Sequence, residues 1–299
     1  MWAMFAILSA IFTCIAVISI WPKDQTKYYG TGKPQMVTFK DYFEVIKNNK
    51  AIQMLVVSAS TDKLGSAAKT SVVTVIMYGI VVGNYALSGG FQIYTTIGNV
   101  IFIILGIGVI ATKFGQRRAM ILSSWIALAG NVLMILLWMF GDPTSLNLPG
   151  YEGFHGFTFF TIALFVLTVV TGGFQQVASN IVIPMTADCA DYETYRSGRY
   201  VPGLMGTLFS FIDKMVSSLA PLIASLLLAA IGFKEVMPDV DTPFSPQLKA
   251  VGIFLMYGLV TIGLIFNVVA MKFYPLTAEK REEVREKIAA IKEEYAKRN

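Results

Sequence analysis

The chain has 299 residues, of which 55% are hydrophobic and only 14% charged, against roughly a quarter charged in a soluble domain. Together with a mean hydropathy of +0.61, this excludes an ordinary water-soluble enzyme, and also a disordered chain, which needs low hydrophobicity and high charge. The net charge of +5 is no nucleic-acid footprint, because the basic residues stand between long apolar blocks instead of on one face of a domain.

A helix needs about 20 apolar residues to cross a hydrocarbon core of about 30 Å. Charge-poor runs of that length recur at approximately 1–22, 50–82, 90–112, 119–140, 157–185, 203–232 and 250–272. The pattern predicts an all-α integral membrane protein with about seven transmembrane helices. Residues 1–22 carry no charge, no basic n-region and no small-residue cleavage site, so they read as a span and not as a signal peptide. Residues 23–49 read as a cytoplasmic linker and 50–274 as a six-helix bundle. Within that bundle, the uncharged stretch 70–112 divides at the glycine-rich turn 83–90. Residues 275–299 read as a surface helix capped by Thr277, with Val284 and Ile288 on an apolar stripe and Glu283 to Lys287 an i,i+4 pair.

Alternate loops differ in charge. One set holds 19 of the 24 Lys and Arg and is predicted to face the cytoplasm, together with the C-terminus of a multi-pass cell-membrane protein. Seven crossings then put the N-terminus outside, and an apolar helix at the very start leads us to expect further sequence upstream. The two cysteines, Cys14 and Cys189, give neither a disulfide framework nor metal-ligand spacing, and His155 alone builds no catalytic constellation.

Three basic residues fall inside spans, where a charge costs about 2.5–3.5 kcal/mol on insertion scales and normally faces a bundle interior or an aqueous cavity. Lys214 lies about 16 Å along its helix from Gly203, near mid-membrane. Thr207, Ser210, Lys214, Ser217 and Ser218 share one stripe, with Asp213 at its edge, which reads as a polar seam toward a cavity. Asp62, Lys63 and Lys69 form a second cluster, equally consistent with an internal ion pair and with a substrate or ion role. Gln175 and Gln176, after Gly172 and Gly173, offer amides to a sugar, while the glycines read as helix packing. The segment 185–199 is expected to be a short cytoplasmic loop carrying Asp188, Asp191, Arg196 and Arg199. Such a loop is either simply solvated or a latch between helix ends.

Ala187-Asp188 followed by Asp191-Tyr192, then Gly198-Arg199 and Phe211-Ile212-Asp213-Lys214, resembles the glycoside-pentoside-hexuronide:cation symporters, the melibiose permease-like branch of the major facilitator superfamily. Lys47-Asn48-Asn49-Lys50 and the closing Tyr274-Pro275-Leu276-Thr277 are similar too. Between the third and fourth spans Gly108, Lys113, Gly115 and Arg117 occupy superfamily positions, whereas Thr112 and Gln116 depart from the usual Asp and Arg. The resemblance implies secondary active transport of a sugar or glycoside driven by Na⁺ or H⁺, with no other cofactor. The chain would correspond to the sixth helix, the central linker and the C-terminal half of a twelve-helix transporter, which implies a separate or missing N-terminal half as partner. It also implies a substrate and cation site near Lys214, Asp213, Asp62, Lys63, Ser210, Gln175 and Gln176. Asp188, Asp191, Arg196, Arg199, Arg117 and Arg118 would form a cytoplasmic charge network. The alternatives are a half-transporter inactive by itself, a seven-helix receptor, which would respond to ligand without solute flux, or a membrane enzyme, for which no acid, His or Cys constellation is present.

Overall fold

The computed structural model describes residues 2–23, 38–69, 71–106, 115–151, 153–198 and 202–298, and its regular structure there is helical. Helix α1 (Trp2–Ile20) is apolar on every side and exposed throughout residues 4–20, as befits a helix whose surroundings are lipid or other protein. Helix α2 (Phe39–Asn48) lies within the expected linker and starts with a capping box in which Thr38 and Asp41 satisfy each other. Next come α3 (Lys50–Ala67), α4 (Ser71–Thr74) continuing as a π-helical stretch Val75–Val81, and α5 (Ala86–Gly106). They are followed by α6 (Gln116–Phe140), α7 (Phe159–Ser197), α8 (Pro202–Ser217) and α9 (Leu219–Ala230). The chain closes with α10 (Pro246–Ile253), a π-helical stretch Phe254–Gly258, α11 (Leu259–Phe273) and α12 (Ala278–Arg298).

Among the described residues, four stretches are long and apolar enough to cross a membrane: Gln116–Phe140, Phe159–Ser197, Gly203–Ala230 and Pro246–Phe273. The expected span 50–82 is a broken pair bent by 58°, and counts as a fifth if read as one crossing. Met4–Ile20 is a shorter apolar helix. The expected span 90–112 begins earlier, at Ala86, and its last residues lie outside those described. Large apolar residues cover the outside of the bundle, among them Trp125 and Phe140 on α6, Ile162 on α7 and Phe266 on α11, each about half exposed or more. A water-soluble fold does not expose apolar surface on this scale. The protein is multi-pass and membrane-embedded.

One expectation is corrected. The segment 185–199 is not a loop: α7 continues unbroken through Asp188, Asp191 and Arg196 to Ser197. At about 58 Å it is nearly twice the thickness of a hydrocarbon core, so its last turns extend beyond it. Gly198, at φ 72°, supplies the left-handed residue that ends it, its N–H bonded to Thr194 O. The segment is polar, which reads as a loop in sequence, but its residues are helix-compatible and stay helical beyond the hydrocarbon core. On the surface helix Glu283 is bonded to Lys280 at i,i+3 and also feels the charge of the expected partner Lys287, while Arg285 pairs with Glu282.

Helices α3 and α11 cross in close contact. A Cβ on Gly65 would stand 2.7 Å from Val260 Cα, and one on Gly263 would stand 2.5 Å from Thr61 O. Close backbone approach through small residues is how helices gain packing energy where lipid tails are as apolar as leucine. Among the described residues three apolar clusters fill the bundle. One is built around Ile52, Leu55, Met120, Met185 and Met205, another around Met77, Trp138, Leu164 and Leu248, and a small third comprises Ala127, Val260 and Leu264. Along α3 the buried residues of the first end at Ala59 and the second begins with Leu64; on α7 the second ends at Leu167, Phe174 packs against the third, and the first begins at Val177. A polar layer shares that interval at mid-depth.

Candidate functional site

Asp62 anchors the polar layer. It lies about 18 Å along α3 from Lys50 and is 6% exposed. Its two carboxylate oxygens accept hydrogen bonds from α7, one from Gln175 Nε2 at 3.1 Å and one from Ser179 Oγ at 2.6 Å. The structure therefore joins two sequence candidates, Asp62 and Gln175, through a bond between different helices. Among the described residues, no Lys or Arg comes within ion-pairing distance of Asp62; its partners are neutral donors.

Two cavities flank this bond. The larger, about 800 Å³, is lined by Tyr78, Gln92, Asn99, Asn131, Thr171, Gln175, Gln176 and Tyr257, with Lys69 as the one charged side chain in its wall among the described residues. Amides, hydroxyls and aromatic faces are the groups that hold a polyhydroxylated ligand, and the volume suits a small organic molecule. The Lys69 ammonium sits 5.9 Å from the centroid of the Tyr257 ring. Tyr257 is itself held by Trp138, which donates its indole N–H to the phenol oxygen at 3.1 Å. The smaller cavity, about 330 Å³, is lined by Asp62, Lys63, Gln176, Ser179, Asn180, Asp213 and Asn267. Gln176 and Ser179 belong to both walls, so the cavities are neighbours across one turn of α7.

Lys214 and Ser210 are exposed on α8, on the same face as Gly206 and Thr207, and neither lines either cavity. Asp213, one residue away, turns into the smaller cavity instead. The stripe expected from sequence is thus split: Asp213 joins Asp62 and Lys63, while Lys214 and Ser210 look outward from this bundle.

At the basic end, Asn49 and Glu193 form a buried link that the sequence did not single out. Asn49 is fully buried; its amide oxygen caps α3 by accepting from Ile52 N, and its amide nitrogen donates to Glu193 Oε2 at 2.9 Å. Arg196 donates to the same carboxylate at 2.7 Å. Asp188 pairs with Arg281 of α12 at 3.5 Å, and Tyr195 donates to Glu283 at 2.6 Å. Lys280, donating to that carboxylate, holds Glu283 below the usual carboxylate range and is itself held above the usual ammonium range. Arg117 reaches across from α6 to the last turn of α11, donating to Met271 O and Lys272 O at 2.9 Å each. It thereby adds a charged donor to carbonyls at a helix C-terminus. Arg118 is exposed beside a crevice shared with Glu279 and Arg281, Asp191 is half-buried on α7, and Arg199 lies outside the described residues. We expect Glu193→Ala to lower thermal stability by about 1 kcal/mol, because it takes away the closer acceptor of the buried Asn49 amide and leaves it only the longer bond to Cys189 O at 3.4 Å. A melting curve in detergent unchanged from the parent would remove this link from the fold's support.

A family model described as MFS/sugar transport protein matches residues 1–278. The chain belongs to the MFS/sugar transport protein family. Its mid-depth polar layer therefore lies inside a sugar-transport protein of the major facilitator superfamily. Comparison with curated proteins gives no match. Asn99, Asn131, Thr171, Ser179 and Asn267 were not singled out from sequence, although an amide inside an apolar span is a detectable signal of the same kind as a charge.

Proposed function

We propose that this MFS/sugar transport chain carries a sugar or glycoside through the larger cavity, as a member of the melibiose permease-like branch of cation symporters. The observation that carries the reading is the cavity of about 800 Å³ walled by Gln92, Asn99, Asn131, Gln175 and Gln176 inside an apolar bundle. Uncharged amides and hydroxyls pair with the alternating donors and acceptors of a sugar ring, and the aromatic faces of Tyr78 and Tyr257 suit its apolar side. Transport proceeds by alternating access, in which two bundles rock about a midplane site. In this reading the chain supplies the sixth helix, the linker and the C-terminal bundle, and an N-terminal bundle covers the exposed face of α8. Lys214 and Ser210, exposed on that face, then meet the other half and take part in coupling to Na⁺ or H⁺. Asp188, Asp191, Arg196, Arg199, Arg117 and Arg118 act at the cytoplasmic end of a cell-membrane protein whose C-terminus faces inward.

The test is uptake of radiolabelled glycosides into vesicles under separately imposed Na⁺ and pH gradients, with this chain alone and with an N-terminal half. Concentrative uptake driven by one gradient is expected with both halves. Lys214→Ala is expected to reduce it at least about tenfold, the equivalent of about 1.4 kcal/mol, while membrane insertion is unaffected. Absence of glycoside flux under either gradient overturns the transport reading. Normal coupled uptake by Lys214→Ala removes that residue from the mechanism.

A further inference from the structure

A groove of about 460 Å³ runs between α6 and α10 on the outside of the bundle. Ile135 and Met139 of α6 line it, and so do Phe244, Ile253 and Phe254 at the start of the last span. Among the described residues its lining is apolar except for Lys249. The π-helical stretch Phe254–Gly258 shapes one end. A Cβ on Gly258 would stand 2.6 Å from the Phe254 ring, so glycine there leaves room for the ring to lie along its own helix. The groove is also remote from the face assigned above to the other half of the transporter: α6 packs against α7 and α11, whereas α8 packs against α3 and α7.

Lys249 is electrostatically uncompensated. It stands in the first turn of α10, where helix amides already present positive charge and acids are favoured, and that turn holds no acid. Among the described residues its ammonium has no carboxylate within ion-pairing distance. Asp239, in the loop just before, is turned into that loop, where it accepts from Asp241 N and Thr242 Oγ1. A half-buried lysine whose stem borders apolar surface and whose head is unpaired needs an anion from elsewhere. Position narrows the source. Lys249 is close to the start of the apolar stretch Pro246–Phe273, at a membrane interface. From there to Gly258 the helix runs about 13 Å, nearly half of a hydrocarbon core of about 30 Å. That is the path of one acyl chain within one leaflet.

We propose that this groove holds one anionic phospholipid of the surrounding bilayer, its phosphate on Lys249 and an acyl chain between α6 and the π-helical stretch. The leaflet is the one opposite the end where Arg117 and Lys272 meet. Lipid tails are as apolar as the groove, so burying the chain selects nothing by itself. Selectivity lies in the headgroup. A net negative phosphodiester matches the ammonium, while a choline headgroup brings its own compensating cation. The inference requires a membrane-embedded protein and is independent of what that protein transports.

The experiment uses phosphatidylglycerol with a photoactivatable diazirine in one acyl chain, in phosphatidylcholine vesicles holding the full chain, with crosslinks mapped by peptide mass spectrometry. Crosslinks are expected to concentrate on 135–139 and 249–258. Unlabelled phosphatidylglycerol should compete about fivefold better than added phosphatidylcholine, the usual worth of one lysine at an anionic membrane surface. Lys249→Gln should abolish that headgroup preference while crosslinking within the groove persists, a split that a merely structural lysine would not give. Ala250→Phe, at an exposed position in the lining, should fill the groove and remove its crosslinks. Lys234→Gln, the same charge change at another exposed lysine before this span, should leave the preference unchanged. Uniform labelling of all exposed helices, or a preference that survives Lys249→Gln, overturns the proposal. So does a groove closed to lipid because a second copy of the chain occupies it, which intermolecular crosslinking between α6 and α10 would reveal. Should Ala250→Phe fail to fold, the competition on the parent and on Lys249→Gln still decides. Glycoside uptake by the same vesicles reports on transport separately, so either reading can fail without the other.

Discussion

Asp62→Ala should abolish concentrative glycoside uptake in vesicles holding the complete transporter, while the protein still inserts. The carboxylate is the shared acceptor for Gln175 and Ser179 of α7, so its removal takes the acceptor from two part-buried donors in the cavity wall. The side chains are then expected to turn toward other acceptors, altering that wall. Asp62→Asn divides the effect: an amide oxygen still accepts from Ser179, but the negative charge is gone. If charge is what matters, Asp62→Asn transports as poorly as Asp62→Ala; if hydrogen bonding is what matters, it recovers a measurable share. Uptake by Asp62→Ala at the parent rate would take the polar layer out of the transport mechanism.

Gly263→Leu should cost about 3 kcal/mol of stability, the upper part of the usual range for overpacking a close contact. Its Cβ alone would meet the Thr61 carbonyl oxygen at 2.5 Å and the Asp62 nitrogen at 3.3 Å. Those are backbone atoms, which cannot swing aside as a flexible side chain would. The α3 and α11 helices must therefore separate, carrying Asp62 away from Asn267. Gly263→Ala should give a smaller loss of the same sign. Melting curves and the monodisperse fraction in detergent measure both, and a Gly263→Leu protein as stable as the parent would show that these helices do not depend on this contact. Gly65, whose Cβ would meet the Val260 backbone from the other side of the same crossing, is expected to behave alike.

Much of this molecule was legible because a bilayer imposes a strong and simple constraint. Long apolar runs had to be helices, since no other single segment satisfies its own backbone in hydrocarbon. Asp62, Lys63 and Asp213 stood out because an ionisable group in such a run is costly, and all three line one cavity. The same reasoning singles out Lys214, yet hydropathy carries no azimuth strong enough to say which way a helix turns, and Lys214 lies on the exposed side of α8. Segment 185–199 misled for a different reason. Its charges were read as a loop, but a helix longer than the hydrocarbon core carries charged turns outside it at no cost.

Composition and periodicity by themselves decided that this is a helical membrane protein, roughly where its helices run, and which charges need a reason to be there. Those conclusions depend on transfer free energies, which are properties of each residue and its near neighbours. Tertiary structure alone decided that Asp62 is bonded to residues 113 and 117 positions away, that Asn267 and Asp213 share its cavity, and that Asn49 is tied to Glu193. Such pairings depend on helix rotation and crossing, set by contacts such as Gly65 on Val260 and Gly263 on Thr61, and no local pattern encodes them.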